Sequence, residues 1–331
     1  MTNDPLIEMT CISKRFSQPP GLSGAIAKII GRTRETPTVQ ALDNVSLTVA
    51  KGEVVGLVGE SGCGKSTLGR VAAGIIEPSA GQIKRFGMPL VQMTAIERRR
   101  TGIKSQMIFQ DPMSSLNPRL KISDIVGEAP VVHGIVDRAT MGTYVDEQLM
   151  KAGLDPAYKT RFPHQLSGGQ RQRVGIARAL AVQPEFLICD ESVAALDVSI
   201  QAQVLNLFMD LRRDLNLTYL FISHDLGVVE HLSDRVAIMY LGRIIEQAPT
   251  AEIFERPNHP YTRSLLASVP RIESRKKAFE GVKGEMPSPL RPPLGCHFHP
   301  RCPLAFDRCK QERPALKDVA VGHLSACHLN D

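Results

Sequence analysis

One short segment restricts the possible fold more than any other: residues 59–67 read GESGCGKST. The segment fits the phosphate-loop pattern G-x-x-x-x-G-K-[ST] at every required position. The apolar run Val54–Val58 before it has the length of a buried strand, and LGRVAAGII after it is typical of a helix. A strand, a glycine-rich loop and a helix in this order predict an α/β fold built around a phosphate-binding loop.

The residue types of this loop predict separate roles on ATP. Its glycines let backbone N–H groups face phosphate oxygens at a helix N-terminus. We expect Lys65 to hold the β- and γ-phosphates, Ser66 to bind Mg²⁺ and Thr67 to lie near the α-phosphate. A glycine-rich turn without a ligand would not explain the lysine and both hydroxyls. The predicted nucleotide-binding residues are Gly59, Glu60, Ser61, Gly62, Cys63, Gly64, Lys65, Ser66 and Thr67.

Two later apolar runs end in ionisable residues. The segment FLICDES at 186–192 brings Asp190 and Glu191 to the end of a predicted buried strand. We expect Asp190 to bind Mg²⁺ and Glu191 to orient and deprotonate an attacking water. The segment TYLFISHDL at 218–226 contains His224, which we interpret as a γ-phosphate contact. A solvent-facing acidic pair and a structural histidine are the alternatives.

The segment HQLSGGQRQRVGIARAL at 164–180 resembles the signature region of ABC-type ATPases. Other elements of that family follow in the same order. Gln110 in MIFQDP resembles the Q-loop glutamine, which would also bind Mg²⁺, Asp197 belongs to an ALD sequence that resembles the D-loop, and His224 resembles the switch histidine. Phe16, at the end of a first predicted strand, is the expected adenine-stacking ring. The signature residues are Ser167, Gly168, Gly169 and Gln170.

The resemblance implies an ABC-type P-loop ATPase core with an antiparallel β subdomain and a helical subdomain at about 112–166. It also implies an ATPase domain at 1–257 and a small Cys-rich extension at 258–331. In that family two ATPases close head to tail around two nucleotides. Ser167 and the amides after it would open a helix and form an anion site for the ATP of the partner. The expected partner is a homologous ATPase subunit in a heterodimer.

Charge and hydropathy restrict the location and the binding partners of the chain. The start MTNDPLIEMTCISKRF lacks the apolar core of a signal peptide, and no window reaches roughly 18 unbroken apolar residues. We therefore expect the chain to stay in the cytoplasm, and the family resemblance implies a peripheral protein at the cytoplasmic face of the inner membrane. The net charge of +6 permits an anionic partner, but no block of Lys and Arg is interleaved with aromatic residues, so we expect no nucleic acid.

Two further segments favour one kind of ABC ATPase. NHPYTRSLLASVP at 258–270 and the cysteine-containing end of the chain resemble ATPases of oligopeptide, dipeptide and nickel importers. The resemblance implies an ATPase that powers import of di- or oligopeptides through two membrane permease subunits, with a solute-binding protein outside the membrane. The alternatives are a non-transport ABC ATPase acting on nucleic acid or ribosomes, and an importer of nickel or another small solute.

Four of the seven cysteines lie near the C-terminus, with the spacing C-x₅-C-x₆-C-x₁₇-C. In a reducing compartment such a cluster suggests metal before disulfide. Structural zinc sites tend to use cysteines two to four residues apart, so the wider spacing favours a [4Fe–4S] cluster; zinc or another metal, and no metal at all, are the alternatives. The family resemblance points the same way. The predicted ligands are Cys296, Cys302, Cys309 and Cys327, and His297, His299 or His328 could replace one in a zinc site.

The segment 17–38 is longer than a strand connection usually needs. Its sequence AIAKIIGR has an apolar and a basic face. It could lie against a bilayer or a subunit, or form a mobile surface loop.

Overall fold

The computed structural model describes residues 5–17, 38–111, 115–194, 196–268 and 284–331. In these ranges the strands form an eight-stranded mixed sheet and a four-stranded antiparallel sheet. Helices cover the mixed sheet. These features confirm the predicted α/β class with an antiparallel sheet and helices. The stretch 18–37, which holds the predicted amphipathic segment, lies outside the described residues.

The strand bounds follow the apolar runs of the sequence. The strands are β1 (Pro5–Ser17), β2 (Thr38–Ala50), β3 (Val54–Val58), β4 (Ala80–Arg85), β5 (Met88–Pro89), β6 (Ser105–Ile108), β7 (Phe186–Asp190), β8 (Thr218–Ser223), β9 (Arg235–Tyr240), β10 (Arg243–Pro249), β11 (Lys317–Ala320) and β12 (His323–Ser325).

The α-helices lie mainly between these strands. They are α1 (Lys65–Ala73), α2 (Ala95–Lys104), α3 (Ile122–Val132), α4 (Met141–Lys151), α5 (Gly168–Leu180), α6 (Val198–Leu215), α7 (Leu226–Leu232), α8 (Thr250–Glu255), α9 (Pro260–Ala267) and α10 (Asp307–Gln311). None of the described helices has both the length and the apolar composition that a membrane crossing needs.

The mixed sheet has the order β11-β12-β10-β9-β3-β8-β7-β6. Strands β9, β3, β8, β7 and β6 run parallel to one another, and β10 pairs antiparallel with β9. Every residue of β3, β7 and β8 is buried, as expected for parallel strands covered on both faces. Because parallel strands share one carboxyl edge, the loops after β3, β7 and β8 emerge side by side.

The antiparallel sheet has the order β2-β1-β4-β5 and packs on α1 and the mixed sheet. Ile7, Ile12, Leu42 and Val49 are fully buried on its inner face. Burial of each such side chain stabilises the packing by roughly 1.5–3 kcal/mol. The same packing brings the end of β1 and the start of β2 beside the loop after β3.

Helices α3, α4 and α5 share one apolar cluster. Val126, Val145, Leu149 and Val174 are all buried in it. This cluster joins the range predicted as the helical subdomain to α5. The first residues of that range, 112–114, lie outside the described residues.

We call residues 284–331 the tail. Its strands β11 and β12 extend the mixed sheet antiparallel to β10. The buried carboxylate of Glu246 in β10 accepts hydrogen bonds from the backbone of His259 (3.0 Å) and lies 2.7 Å from Nε2 of His323 in β12. One carboxylate therefore links the start of α9 to the tail.

Candidate nucleotide site

The phosphate loop joins the carboxyl end of β3 to the first turn of α1. Gly64 has φ 109°, in the left-handed region that favours glycine. A Cβ atom built on it would lie 2.4 Å from the backbone oxygen of Ala41, closer than atoms can approach. The glycine is therefore required both by the backbone conformation and by the close approach of β2.

Lys65 is the buried cation of this loop, with 4% of its surface exposed. Its Nζ donates hydrogen bonds to the backbone oxygens of Gly59 (2.7 Å) and Glu60 (3.0 Å). No carboxylate forms an ion pair with Lys65 among the residues the structure describes. A buried ammonium without a counter-ion at a helix N-terminus favours binding of an anion such as a phosphate.

Ser66 and Asp190 bring two oxygen groups together. Ser66 Oγ donates to Oδ1 of Asp190 over 2.9 Å. Asp190 is 3% exposed, and burial raises the pKa of its carboxyl above the usual range. A hydroxyl and a carboxylate fit a Mg²⁺ ion, which prefers a few protein oxygens together with those of a phosphate. When bound there, the ion would neutralise charge on the β- and γ-phosphates.

Glu191 follows directly, at a backbone φ of 47°, which is uncommon for a residue with a side chain. Its Oε2 accepts a hydrogen bond from Nε2 of Gln110 (2.7 Å) and lies 3.4 Å from Nδ1 of His224. The loops after β6, β7 and β8 thus deliver one side chain each to the same point. A carboxylate between an amide and an imidazole can hold and deprotonate a water.

A cavity of about 350 Å³ lies beside these groups; Gln110 and Glu191 line it, whereas Asp190 and His224 do not. Phe16 lines it, is 43% exposed and has the ammonium of Lys14 5.2 Å from its ring centre. The predicted residues that line the cavity are Phe16, Ser61, Gly62, Gly64, Lys65, Ser66, Thr67, Gln110 and Glu191. Gly59, Glu60 and Cys63, also predicted to bind nucleotide, do not line it.

Cys63 instead points into the core between the two sheets. Burial raises the pKa of its thiol to about 11, so the side chain is a neutral thiol at pH 7. It fills space behind the phosphate loop as a small apolar group.

The signature residues lie elsewhere. Ser167 caps α5: its Oγ accepts from the backbone N–H of Gln170 (3.3 Å), and Oε1 of Gln170 accepts from the N–H of Ser167 (3.0 Å). Ser167 and Gly168 are exposed, and no signature residue lines the nucleotide cavity as the structure describes it. Asp197 is likewise exposed, at the N-cap of α6.

The four tail cysteines do converge on one small cavity, of about 10 Å³. However, no group of three or more His, Cys, Asp or Glu side chains in the described ranges is arranged to hold a metal ion. The predicted [4Fe–4S] cluster on Cys296, Cys302, Cys309 and Cys327 is therefore wrong, and the zinc alternative has no ligand group either. Spacing along the chain did not predict the arrangement of the sulfur atoms.

The packing of this part of the tail is visible in its thiols and histidines. Burial raises the pKa of the Cys296 thiol to about 11 and also raises the pKa of Cys302 and Cys327. The neighbouring histidines have protein partners: Nδ1 of His299 lies 2.9 Å from the backbone oxygen of Cys296, and Nε2 of His328 lies 3.0 Å from that of Glu312.

Comparison with known proteins identifies the family. Residues 42–194 match the family described as ABC transporter, and residues 245–309 match the oligopeptide/dipeptide transporter C-terminal region. The oligopeptide transport ATP-binding protein AppF of Bacillus subtilis (strain 168) is 46% identical over 330 residues, 98% of each chain. A putative peptide import ATP-binding protein of Brucella ovis is 46% identical over 99% of this chain and 98% of its own.

A solved structure agrees with these matches. The dimeric structure of a bacterial ABC transporter cassette is 25% identical, with a TM-score of 0.61 over 74% of this chain and 98% of that chain. Fold, phosphate loop and full-length relatives together show that the chain belongs to the ATP-binding proteins of ABC transporters. Within them it belongs to the group with the oligopeptide/dipeptide transporter C-terminal region.

The predicted family is thereby confirmed, as is ATP hydrolysis coupled to transport. Neither alternative, a non-transport ATPase or an importer of nickel, is supported by these matches.

The sequence did not predict three residues around the phosphate loop. Pro289 of the tail lines the nucleotide cavity, and Tyr261 and Arg301 bond to Glu60. All three lie more than 200 positions after Glu60, and no local motif marks them.

Proposed function

We propose that this chain powers import of di- or oligopeptides through separate permease subunits. The observation that carries the proposal is the C-terminal region at residues 245–309, which matches the one found in oligopeptide/dipeptide transporters. Full-length relatives with names that refer to peptide transport support it. The chain would bind as a peripheral subunit at the cytoplasmic face of the inner membrane.

Each site residue has a proposed role. Lys65 and the phosphate-loop amides hold the phosphates, and Phe16 stacks on the adenine. Ser66, Asp190 and Gln110 are the groups that would hold Mg²⁺. Glu191 takes the proton of the attacking water, while His224 contacts the γ-phosphate.

The proposed working unit is a head-to-tail pair of ATPase subunits. Ser167, Gly168, Gly169 and Gln170 of one subunit would contact the ATP bound by the other. The exposure of Ser167 and Gly168, and the fact that none of the four residues lines the nucleotide cavity of its own chain as described, support this arrangement. The second subunit is a homologous ATPase, two permeases receive the motion, and an extracytoplasmic binding protein delivers the solute.

The test is uptake in cells that lack this chain. Deletion of the gene should abolish uptake of labelled di- or pentapeptides. Wild-type protein should restore uptake, and the Lys65→Ala variant should not, because it loses nucleotide affinity. Labelled nickel is the control solute. If peptide uptake persists in the deletion strain while nickel uptake is lost, the peptide assignment is wrong.

A further inference from the structure

Helix α9 and the tail each hold the phosphate loop at Glu60. The backbone N–H of Glu60 donates to the hydroxyl of Tyr261 in α9 over 3.0 Å. The carboxylate accepts from Nη1 of Arg301, with 3.0 Å to each of its oxygens. Both contacts join segments that are more than 200 residues apart in the chain, so neither results from local structure.

Arg301 is a buried member of this arrangement. Its side chain is 5% exposed and lies over the ring of Tyr240, whose hydroxyl is 3.4 Å from Nη1. Tyr240, Tyr261 and Phe298 pack edge to face around it, with ring centres 4.8–5.3 Å apart. A buried guanidinium is costly without a partner, so packing of the tail favours the conformation in which Glu60 is paired.

The same loop residue is connected to the nucleotide site. The backbone oxygen of Glu60 accepts a hydrogen bond from Nζ of Lys65, the cation that faces the cavity. The Glu60 carboxylate would also add negative charge beside the phosphates if it were unpaired. Pairing with Arg301 offsets that charge, and repulsion between like charges is strong where water is excluded.

A second part of the tail reaches the loop from another side. The methyl carbon of Met286 lies 3.5 Å from the position that a Cβ on Gly62 would occupy. The backbone oxygen of Pro289 accepts from the N–H of Gln40 over 3.3 Å, and Pro289 lines the nucleotide cavity. Contacts at both Glu60 and Gly62 limit movement of the loop more than one contact could.

We propose that Arg301 is a positioning residue for ATP: through Glu60, the tail holds the phosphate loop in the conformation that binds phosphates. The loop is thereby preorganised, so less ordering is required when ATP binds. The inference concerns ATP affinity and is independent of which solute is imported.

The test measures ATP affinity and turnover of the full chain. Arg301→Gln should raise Kd and KM for ATP about tenfold, the size expected for a coupled charge pair, while kcat stays within about twofold. Arg301→Lys should restore part of the affinity. The matched control is Arg308→Gln, an exposed tail arginine that pairs with Glu312 and Asp331 and should leave Kd unchanged.

A double-mutant cycle separates positioning from simple tail folding. If Arg301 acts through Glu60, adding Arg301→Gln to Glu60→Gln should change Kd by less than about twofold. Additive effects, or equal effects of Arg301→Gln and Arg308→Gln, would overturn the proposal. If Arg301→Gln does not fold, Tyr261→Phe keeps the ring packing and removes only the hydroxyl. That variant should raise Kd several-fold, and an unchanged Kd would contradict the inference.

Discussion

At the scale of single residues, the three charged side chains of the site lie in different surroundings. Lys65 is buried and bound to backbone oxygens, Asp190 is buried beside a hydroxyl, and Glu191 lies between an amide and an imidazole. Of the two acidic residues only Glu191 lines the cavity, and its carboxylate has two polar neighbours. The arrangement favours anion binding by Lys65 and proton transfer by Glu191.

Glu191→Gln should therefore keep ATP binding but lose turnover, because the amide cannot take a proton from water. We expect kcat to fall by about 10²–10⁴-fold with little change in ATP Kd, and a closed dimer to accumulate with ATP. Phosphate release, ATP titration and gel filtration measure these effects. Glu185→Gln is the matched control, since that glutamate pairs with Lys104 away from the cavity. Wild-type turnover in Glu191→Gln would disprove its role as the base.

At the scale of elements, the first residues of α5 and α9 position side chains that have proposed roles. The capping box of α5 uses Ser167 and Gln170, so the hydrogen bonds that begin the helix also order the signature. Helix α9 begins after His259, whose Nδ1 accepts from the N–H of Tyr261 over 3.1 Å. That bond needs a neutral imidazole, and it positions the tyrosine that bonds to Glu60.

His259 should make stability depend on pH. It is 1% exposed, and burial lowers its pKa to about 3, below its ordinary value of about 6.5. The unfolded state therefore takes up the proton first. The contribution of His259 is complete above pH 6.5 and is lost as the pH falls toward 3. Between pH 7 and 5 it should lower the free energy of unfolding by about 2 kcal/mol.

Urea unfolding at both pH values measures this effect. His259→Asn retains a cap but cannot titrate, so it should be less stable at pH 7 and lose about 2 kcal/mol less on acidification. The exposed His231 provides the control, and His231→Asn should keep the wild-type pH dependence. An unchanged pH dependence in His259→Asn would show that the residue is not a buried neutral base.

At the scale of the whole molecule, the nucleotide cavity and the proposed signature site lie at separate places on one chain. The nucleotide cavity is lined by the end of β1, the start of β2, Pro289 of the tail and residues that follow β3, β6 and β7, whereas Ser167 and Gly168 at the start of α5 face solvent. A single copy cannot bring these sites together around one phosphate. Hydrolysis should therefore require a second ATPase subunit.

Ser167→Arg tests this requirement. The variant should bind ATP in its own cavity with unchanged Kd, because Ser167 does not line that cavity. It should lose hydrolysis by about 100-fold or more in the assembled dimer, because the added side chain fills the position of the ATP of the partner. Thr143→Arg, at an exposed position on α4, should retain turnover. If Ser167→Arg weakens ATP binding and turnover equally, the two sites are not separate.

Much of this molecule could be predicted from contiguous residues. The phosphate loop, the buried strands β3, β7 and β8, and the cap of α5 each depend on neighbours within a few positions. Apolar runs, glycines with positive φ and a capping box restrict the backbone locally, so their sequence patterns were sufficient. For the same reason the α/β class and the ABC ATPase family followed from the order of these motifs.

Only the tertiary structure decided which side chains that are far apart in the sequence contact each other. The four tail cysteines have a spacing that suggested a metal, yet their arrangement makes no metal-binding group. Glu60 was predicted to bind nucleotide as part of the phosphate loop, yet it pairs with Arg301, 241 residues later. Local sequence restricts backbone conformation, whereas the partner of a buried group depends on how whole sheets and the tail pack together.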